Sequence, residues 1–302
     1  MFRNAFVLLL FAGVVEARAD DEPVVTSLQV GRETETLGKD QEAQSVRPRN
    51  SDVGTLTGRF VYEGAPPPVV DLFPELSKID AATPHIGPER SGEGLYRLFL
   101  DHGIRPRTED QSLLVDRDKG VANVVIWVVS LDIPWTAPAD LGQQTRTITF
   151  KEGRFAPRVA VAVAQQPIVV QNQDPVGAHV RVEPSRPRNK AVNQLLKPNS
   201  TDAPFEFAWS EAETVPAKVG SNLAPWATGW IFVRANPFVA ISQSDGSFTI
   251  PDMPPGEWEF QVWHERQGSI KQWPQGRFKR TVTAGENDLG EIRIKPQHLN
   301  RR

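Results

Sequence analysis

Residues 238–264, FVAISQSDGSFTIPDMPPGEWEFQVWH, carry the densest β signal in the chain. Phe238–Gln243 and Phe248–Ile250 flank Ser244-Asp245-Gly246-Ser247. An Asp-Gly pair supplies the positive φ angles of a tight turn, so the spacing predicts a β-hairpin. Pro254-Pro255-Gly256 then turns the chain into Trp258–His264, where Trp258, Phe260, Val262 and His264 fall on one face of a strand. On the C-terminal side, Phe278–Val282 and Glu291–Ile294 read as two more strands around Gly285-Glu286-Asn287-Asp288.

The N-terminal side has the same character. Thr55–Glu63 alternates, with Leu56, Phe60 and Tyr62 on one face, and ends at Gly64 and Pro66-Pro67-Pro68. Val121–Val129, VANVVIWVV, is apolar on both faces and predicts a central strand. Further strands are expected at Thr145–Phe150, Val159–Ala164, Ile168–Gln171, Phe205–Trp209, Val215–Val219 and Gly229–Val233. Residues 69–112 read as loop with one or two helical turns around Leu95–Leu100. The 26 prolines and 22 glycines interrupt helices throughout. The fold class expected is all-β and sandwich-like.

The chain has 302 residues, a formal net charge of −3 and no cysteine. Thiolate metal sites, cysteine nucleophiles, iron–sulfur clusters and disulfides are therefore excluded. The acidic balance, with no basic patch carrying stacking aromatics, points away from nucleic acid as a partner. Residues 1–19 hold Arg3, an apolar run from Ala5 to Val15, and Ala17-Arg18-Ala19 as a small-x-small cleavage pattern. They read as a secretory signal peptide, with no transmembrane segment left after cleavage. Residues 20–53 are charged and aperiodic and read as a disordered tether. Export without disulfides suits a periplasmic or extracellular location.

No nucleophile elbow, P-loop, dinucleotide fingerprint or C-x-x-C motif occurs, so the chain is read as a non-enzyme. His264-Glu265 opens like a zincin, but Gly268 stands where the second histidine is required, leaving a buried structural histidine. Glu211 and Glu213 read as solvated loop residues. Of the eight tryptophans, Trp127, Trp230 and Trp258 are expected in the core. Trp135, Trp226, Trp263 and Trp273 lie beside proline or on polar faces. Trp226 and Trp263 are the binding candidates, since exposed indoles stack on sugars or anchor interfaces.

A series of short motifs carries a resemblance. Gly54-Thr-Leu-Thr-Gly58, Ala122-Asn-Val-Val-Ile-Trp127, Asn172-Gln-Asp-Pro-Val-Gly177, Pro225-Trp226, Asn236-Pro-Phe238, Asp245-Gly-Ser-Phe248, Val262-Trp-His-Glu265 and Gly285-Glu-Asn-Asp-Leu-Gly290 occur in this order. The chain resembles bacterial exported cupredoxin-like proteins labelled "methylamine utilisation protein", which carry a carboxypeptidase-regulatory-like (transthyretin-like) β-sandwich. The resemblance implies two β-sandwiches. Residues 54–133 and 237–295 would form the regulatory-like one, with a cupredoxin-like Greek-key domain at 134–236 inserted between them and a tail at 296–302.

The resemblance also implies a copper site, and there this chain departs. Relatives place a histidine after N-x-D-P-x-x and then C-x-x-H-x-x-M; here those positions hold Ala178, Ser221, Ala224 and Ala227. Alkyl and hydroxyl groups do not replace soft sulfur and imidazole ligands. A cysteine frequent in the family is Gly153 in this chain. His179 is one place late, which turns it to the opposite strand face. The four positions are expected to converge on one small, mostly apolar pocket with Ser221 as its polar group.

Two readings follow. One is a non-enzymatic binding or structural module of the cell envelope, without a cofactor, whose partner is an envelope protein or a glycan. The alternative is a copper-binding or electron-transfer protein with a non-thiolate site using His179 with His264 or His85.

Overall fold

A computed structural model describes residues 52–76 and 92–299. The expected signal peptide, nearly all of the tether, and His85 lie outside the described residues. The described chain is almost entirely β.

In chain order the elements begin with β1 (Gly54–Tyr62), α1 (Phe73–Leu76), α2 (Gly92–Asp101) and β2 (Val125–Val128). Nine strands follow: β3 (Arg146–Lys151), β4 (Arg154–Ala156), β5 (Val159–Val163), β6 (Ile168–Asn172), β7 (Ala178–Val182), β8 (Val192–Leu196), β9 (Phe205–Phe207), β10 (Ala217–Gly220) and β11 (Thr228–Arg234). The last group is β12 (Val239–Ile241), β13 (Ser247–Met253), β14 (Gly256–His264), β15 (Gly268–Ser269), β16 (Arg277–Val282) and β17 (Gly285–Ile294).

Four sheets result. β13-β1-β17 faces β12-β2-β14-β15, with β16 added on β14. The other two sheets are β4-β3-β6-β9 and β5-β11-β10-β7-β8. Strands β12–β17 therefore return to the sheets begun by β1 and β2, while β3–β11 build the other pair. Within that pair β6 to β7, β8 to β9 and β9 to β10 each change sheets, and β3 runs parallel to β6 as β5 does to β11. This is a Greek-key double sheet.

Side-chain alternation explains the stacking. Leu56 and Phe60 of β1, Ile126 and Val128 of β2, and Phe260 and Val262 of β14 fill the first core. Phe150, Val170, Val180, Val219, Ile231 and Val233 lie in the second. The opposite faces of the same strands supply a third cluster: Val125 and Trp127 of β2, Trp263 of β14, Val159 of β5 and Phe232 of β11. β2 and β11 are thus apolar on both faces because each has a packed layer on either side. Trp127 meets Phe232 edge-on at 4.6 Å, and Trp230 meets Trp263 at 5.0 Å. Burial of each such ring contributes about 1.5–3 kcal/mol.

The expected hairpin at Asp245-Gly246 is corrected. The turn forms, with Gly246 at φ +83° and the Asp245 carboxylate accepting from the Ser247 amide at 2.9 Å. Its arms separate, however: β12 pairs with β2 and β13 with β1. The turn is an arch between two facing sheets, resting on β1, where Phe60 N donates to Gly246 O at 2.9 Å. A Cβ on Gly246 would fall 2.2 Å from Phe60 O, so glycine is required twice over. The helical turns expected near Leu95 extend to the ten-residue α2, with Leu95 and Phe99 turned into the second core. β4, β7 and β8 were not anticipated. β7 carried a signal, since Ala178, Val180 and Val182 alternate with His179 and Arg181 and are fully buried.

Candidate functional site

The loop between β10 and β11 holds Ser221, Ala224 and Ala227, and Ala178 opens β7 beside it. Residues 172–177 prepare this end of the sandwich. Buried Asn172 donates through Nδ2 to Val176 O (2.7 Å) and Lys197 O (2.9 Å), while its Oδ1 accepts from Asp174 N (3.0 Å). The Asp174 carboxylate accepts from Glu152 N at 2.7 Å and Gly153 N at 2.8 Å. The N-x-D-P stretch is therefore a knot holding the β3–β4 turn, in which Gly153 has φ +69°. Gly153 O in turn accepts from Trp226 Nε1 at 3.0 Å.

Trp226 is the centre of the arrangement. It is buried and lies edge-on to Phe99 (5.7 Å) and Tyr96 (5.9 Å), both on α2. Tyr96 in turn packs at a tilt against Phe73 of α1, with ring centroids 4.4 Å apart. A Cβ added to Gly153 would lie 3.1 Å from Trp226 Nε1 and 3.5 Å from Phe99, which shows how closely this end is filled. Ala178, Ala224 and Ala227 are buried in the same cluster as Trp226 and Phe99. Ser221 Oγ accepts from Leu223 N (3.2 Å) and Ala224 N (3.1 Å), holding the loop as a turn.

The small pocket expected from the four positions is corrected accordingly. Three alanines are packed into the core, while Ser221 and Ala227 border an open groove with Arg181, Lys218 and Thr228. Copper does not fit the residues at these positions, which offer methyl groups and one hydroxyl already engaged with backbone amides.

The histidines stand apart. His179 Nδ1 accepts from Asn222 N at 3.0 Å, and Nε2 lies 2.7 Å from Asn193 Oδ1, which assigns the proton to Nε2 and engages both nitrogens. His264 is buried at the end of β14, with Nδ1 accepting a long bond from Arg266 N (3.4 Å). Its pKa is pushed down to about 4, chiefly by burial, against the opposing pull of Glu265. His179 and His264 belong to different sandwiches. Among the described residues, no group of three or more His, Cys, Asp or Glu side chains is placed to hold a metal.

Trp226 and Trp263, expected as exposed anchors, are both buried: Trp226 in the second core and Trp263 in the layer between sandwiches. Proline or polar neighbours in sequence did not reveal these long-range packing partners. Trp135 and Trp273 are half-buried. Glu213, expected in solvent, is also buried, and accepts from Ser185 N (2.6 Å), Ser185 Oγ and Asn189 Nδ2 (2.7 Å).

Missed altogether was a set of ion pairs where residues 105–112 run beside both sandwiches. Arg158 holds Glu265 in a bidentate pair (2.5 and 2.8 Å), to which Trp230 Nε1 adds a bond at 3.2 Å. Arg154 pairs with Glu109 at 2.7 Å, and Arg266 with Asp110 at 3.2 Å. In sequence these partners are dozens of residues apart, with only the adjacent Glu109-Asp110 and Glu265-Arg266 to hint at a cluster.

The topology and the packed ends define an all-β protein with a Greek-key double sheet. No protein-family model matches the chain, and no curated protein matches it. Solved structures with some likeness include a purple cupredoxin from Nitrosopumilus maritimus, 17% identical, covering 29% of this chain and 97% of that one, with a TM-score of 0.23. A copper-containing nitrite reductase from Thermus scotoductus is 12% identical over 35% of this chain and 25% of its own, with a TM-score of 0.26. A copper(I) amicyanin variant is 11% identical over 37% and 99%, with a TM-score of 0.27. The copper in these names belongs to those proteins. Among the described residues, no helix is long and apolar enough to cross a membrane.

Proposed function

We propose that this chain is a non-enzymatic, exported binding or structural module of the cell envelope, whose cupredoxin-like domain works without a metal. One observation carries the reading. The 221–227 loop spends its side chains on packing, with Trp226 locked against α2 and three of the four resemblance-implied ligand positions occupied by buried alanines. The sequence reading of residues 1–19 supports export to the periplasm or beyond. With Trp226 and Trp263 buried, contact with an envelope protein or glycan falls to the loops and exposed polar strands.

The test is elemental analysis of the chain purified, without chelators, from copper-supplemented cells. The reading expects far less than one copper per chain, with no change in His179→Ala. One copper per chain, lost in His179→Ala, would replace it with the electron-transfer alternative.

A further inference from the structure

The ion pairs around residues 109–111 enclose a cavity of about 80 Å³ lined by Arg154, Arg158 and Lys218 together with Glu109, Asp110 and Glu265. The carboxylates are already served. Glu265 takes three donors from Arg158 and Trp230. Asp110 accepts from Ser112 N at 2.8 Å and from Arg266. Glu109 accepts from Arg154, with Arg107 at 3.9 Å. The lining itself carries three cations and three carboxylates, and Arg107 and Arg266, outside it, add their charges to Glu109 and Asp110.

Arg154 shows what is missing. Its Nε donates to Arg107 O at 2.5 Å, and its Nη2 donates to Glu109 O and Oε2 at 2.8 and 2.7 Å. Its Nη1 is buried and has no acceptor in the protein. A desolvated donor left unpaired is destabilising, and more so when it belongs to a charged group. Burial is the main cause that pulls the Arg154 pKa below its ordinary value; Glu109 and Asp110 oppose it, and Arg107 and Arg158 add to it. Lys218, on the rim, has no ion pair among the described residues.

A cavity of about 80 Å³ is larger than one water needs and has room for a small polyatomic anion. We propose that it binds a single small oxyanion of the phosphate or sulfate class, with Arg154 Nη1 as the buried donor and Lys218 supplying charge at the mouth. Guanidinium donors suit such oxygens because the N–H fork matches their spacing.

The experiment is calorimetric titration of the purified chain with inorganic phosphate, and separately sulfate, at constant ionic strength set with chloride. A saturable heat near one equivalent is expected, abolished in Arg154→Gln and weakened at least several-fold in Lys218→Gln. Lys218 is exposed, so the second variant decides the matter if the first does not fold. Absence of saturable binding in the native chain overturns the proposal, as does binding unchanged in Lys218→Gln; the cavity then holds water only. A thermal upshift with sulfate of equal size in native chain and variant is general anion exclusion and counts against the site.

Discussion

His264 shows how one buried side chain makes the whole molecule sensitive to acid. In an unfolded chain its imidazole titrates near 6.5; in the fold burial brings it to about 4. Between these values the unfolded state binds more protons, so stability is fully present above about pH 6.5 and falls as pH drops towards 4. Urea unfolding should show a midpoint that declines from pH 7 to pH 5, with His264→Gln declining clearly less. Equal declines would mean that His264 is not the group responsible. The sequence allowed this role to be read, because His264 continues the Trp258, Phe260, Val262 face. It did not reveal Arg154 Nη1 or Glu213, whose surroundings are assembled from distant segments.

Among the elements, α2 has the most unexpected position. It lies between β1 and β2 in sequence, which belong to the first sandwich, yet Leu95 and Phe99 are buried in the second core. A ten-residue helix is marginal by itself and depends on its apolar face for stability. Trp226 supplies much of that face. Trp226→Ala should cost about 3–5 kcal/mol. Hydrogen exchange should show lost protection in Gly92–Asp101, with β14 and β17 unchanged. Protection that persists in α2 would mean that the loop does not hold the helix. The i, i+4 pair Leu95 and Phe99 made some helix legible. Its destination was not, since periodicity reports which face is buried and not what covers it. The same limit explains the Asp245-Gly246 turn, which was read correctly while its arms were assigned to one sheet instead of two.

At the largest scale, the described residues form four sheets with three apolar layers, and the middle layer joins the sandwiches. Arg158–Glu265 runs across the same boundary, with Glu265 4% exposed and Arg158 14% exposed. Removing one partner of a buried pair costs about 3–5 kcal/mol, because the other charge stays desolvated. Calorimetry should give one unfolding transition for the native chain and a lower midpoint in Glu265→Gln. Two native transitions would show that Trp127, Phe232 and Trp263 do not couple the halves. The all-β class was legible from alternation and from turn residues. β2 was also legible as a doubly buried strand, although the sequence could not say that a second sandwich is what buries its far side.

The proposal that the end formed by β7 and the 221–227 loop works without a metal is tested most directly by calorimetric copper titration of the purified chain, with His179→Ala in parallel. Buried alanines at 178, 224 and 227 and a doubly hydrogen-bonded His179 predict no stoichiometric binding and no difference between the two proteins. One equivalent bound by the native chain and lost in His179→Ala would contradict this, and would mean that a thiolate-free copper centre is built on that histidine.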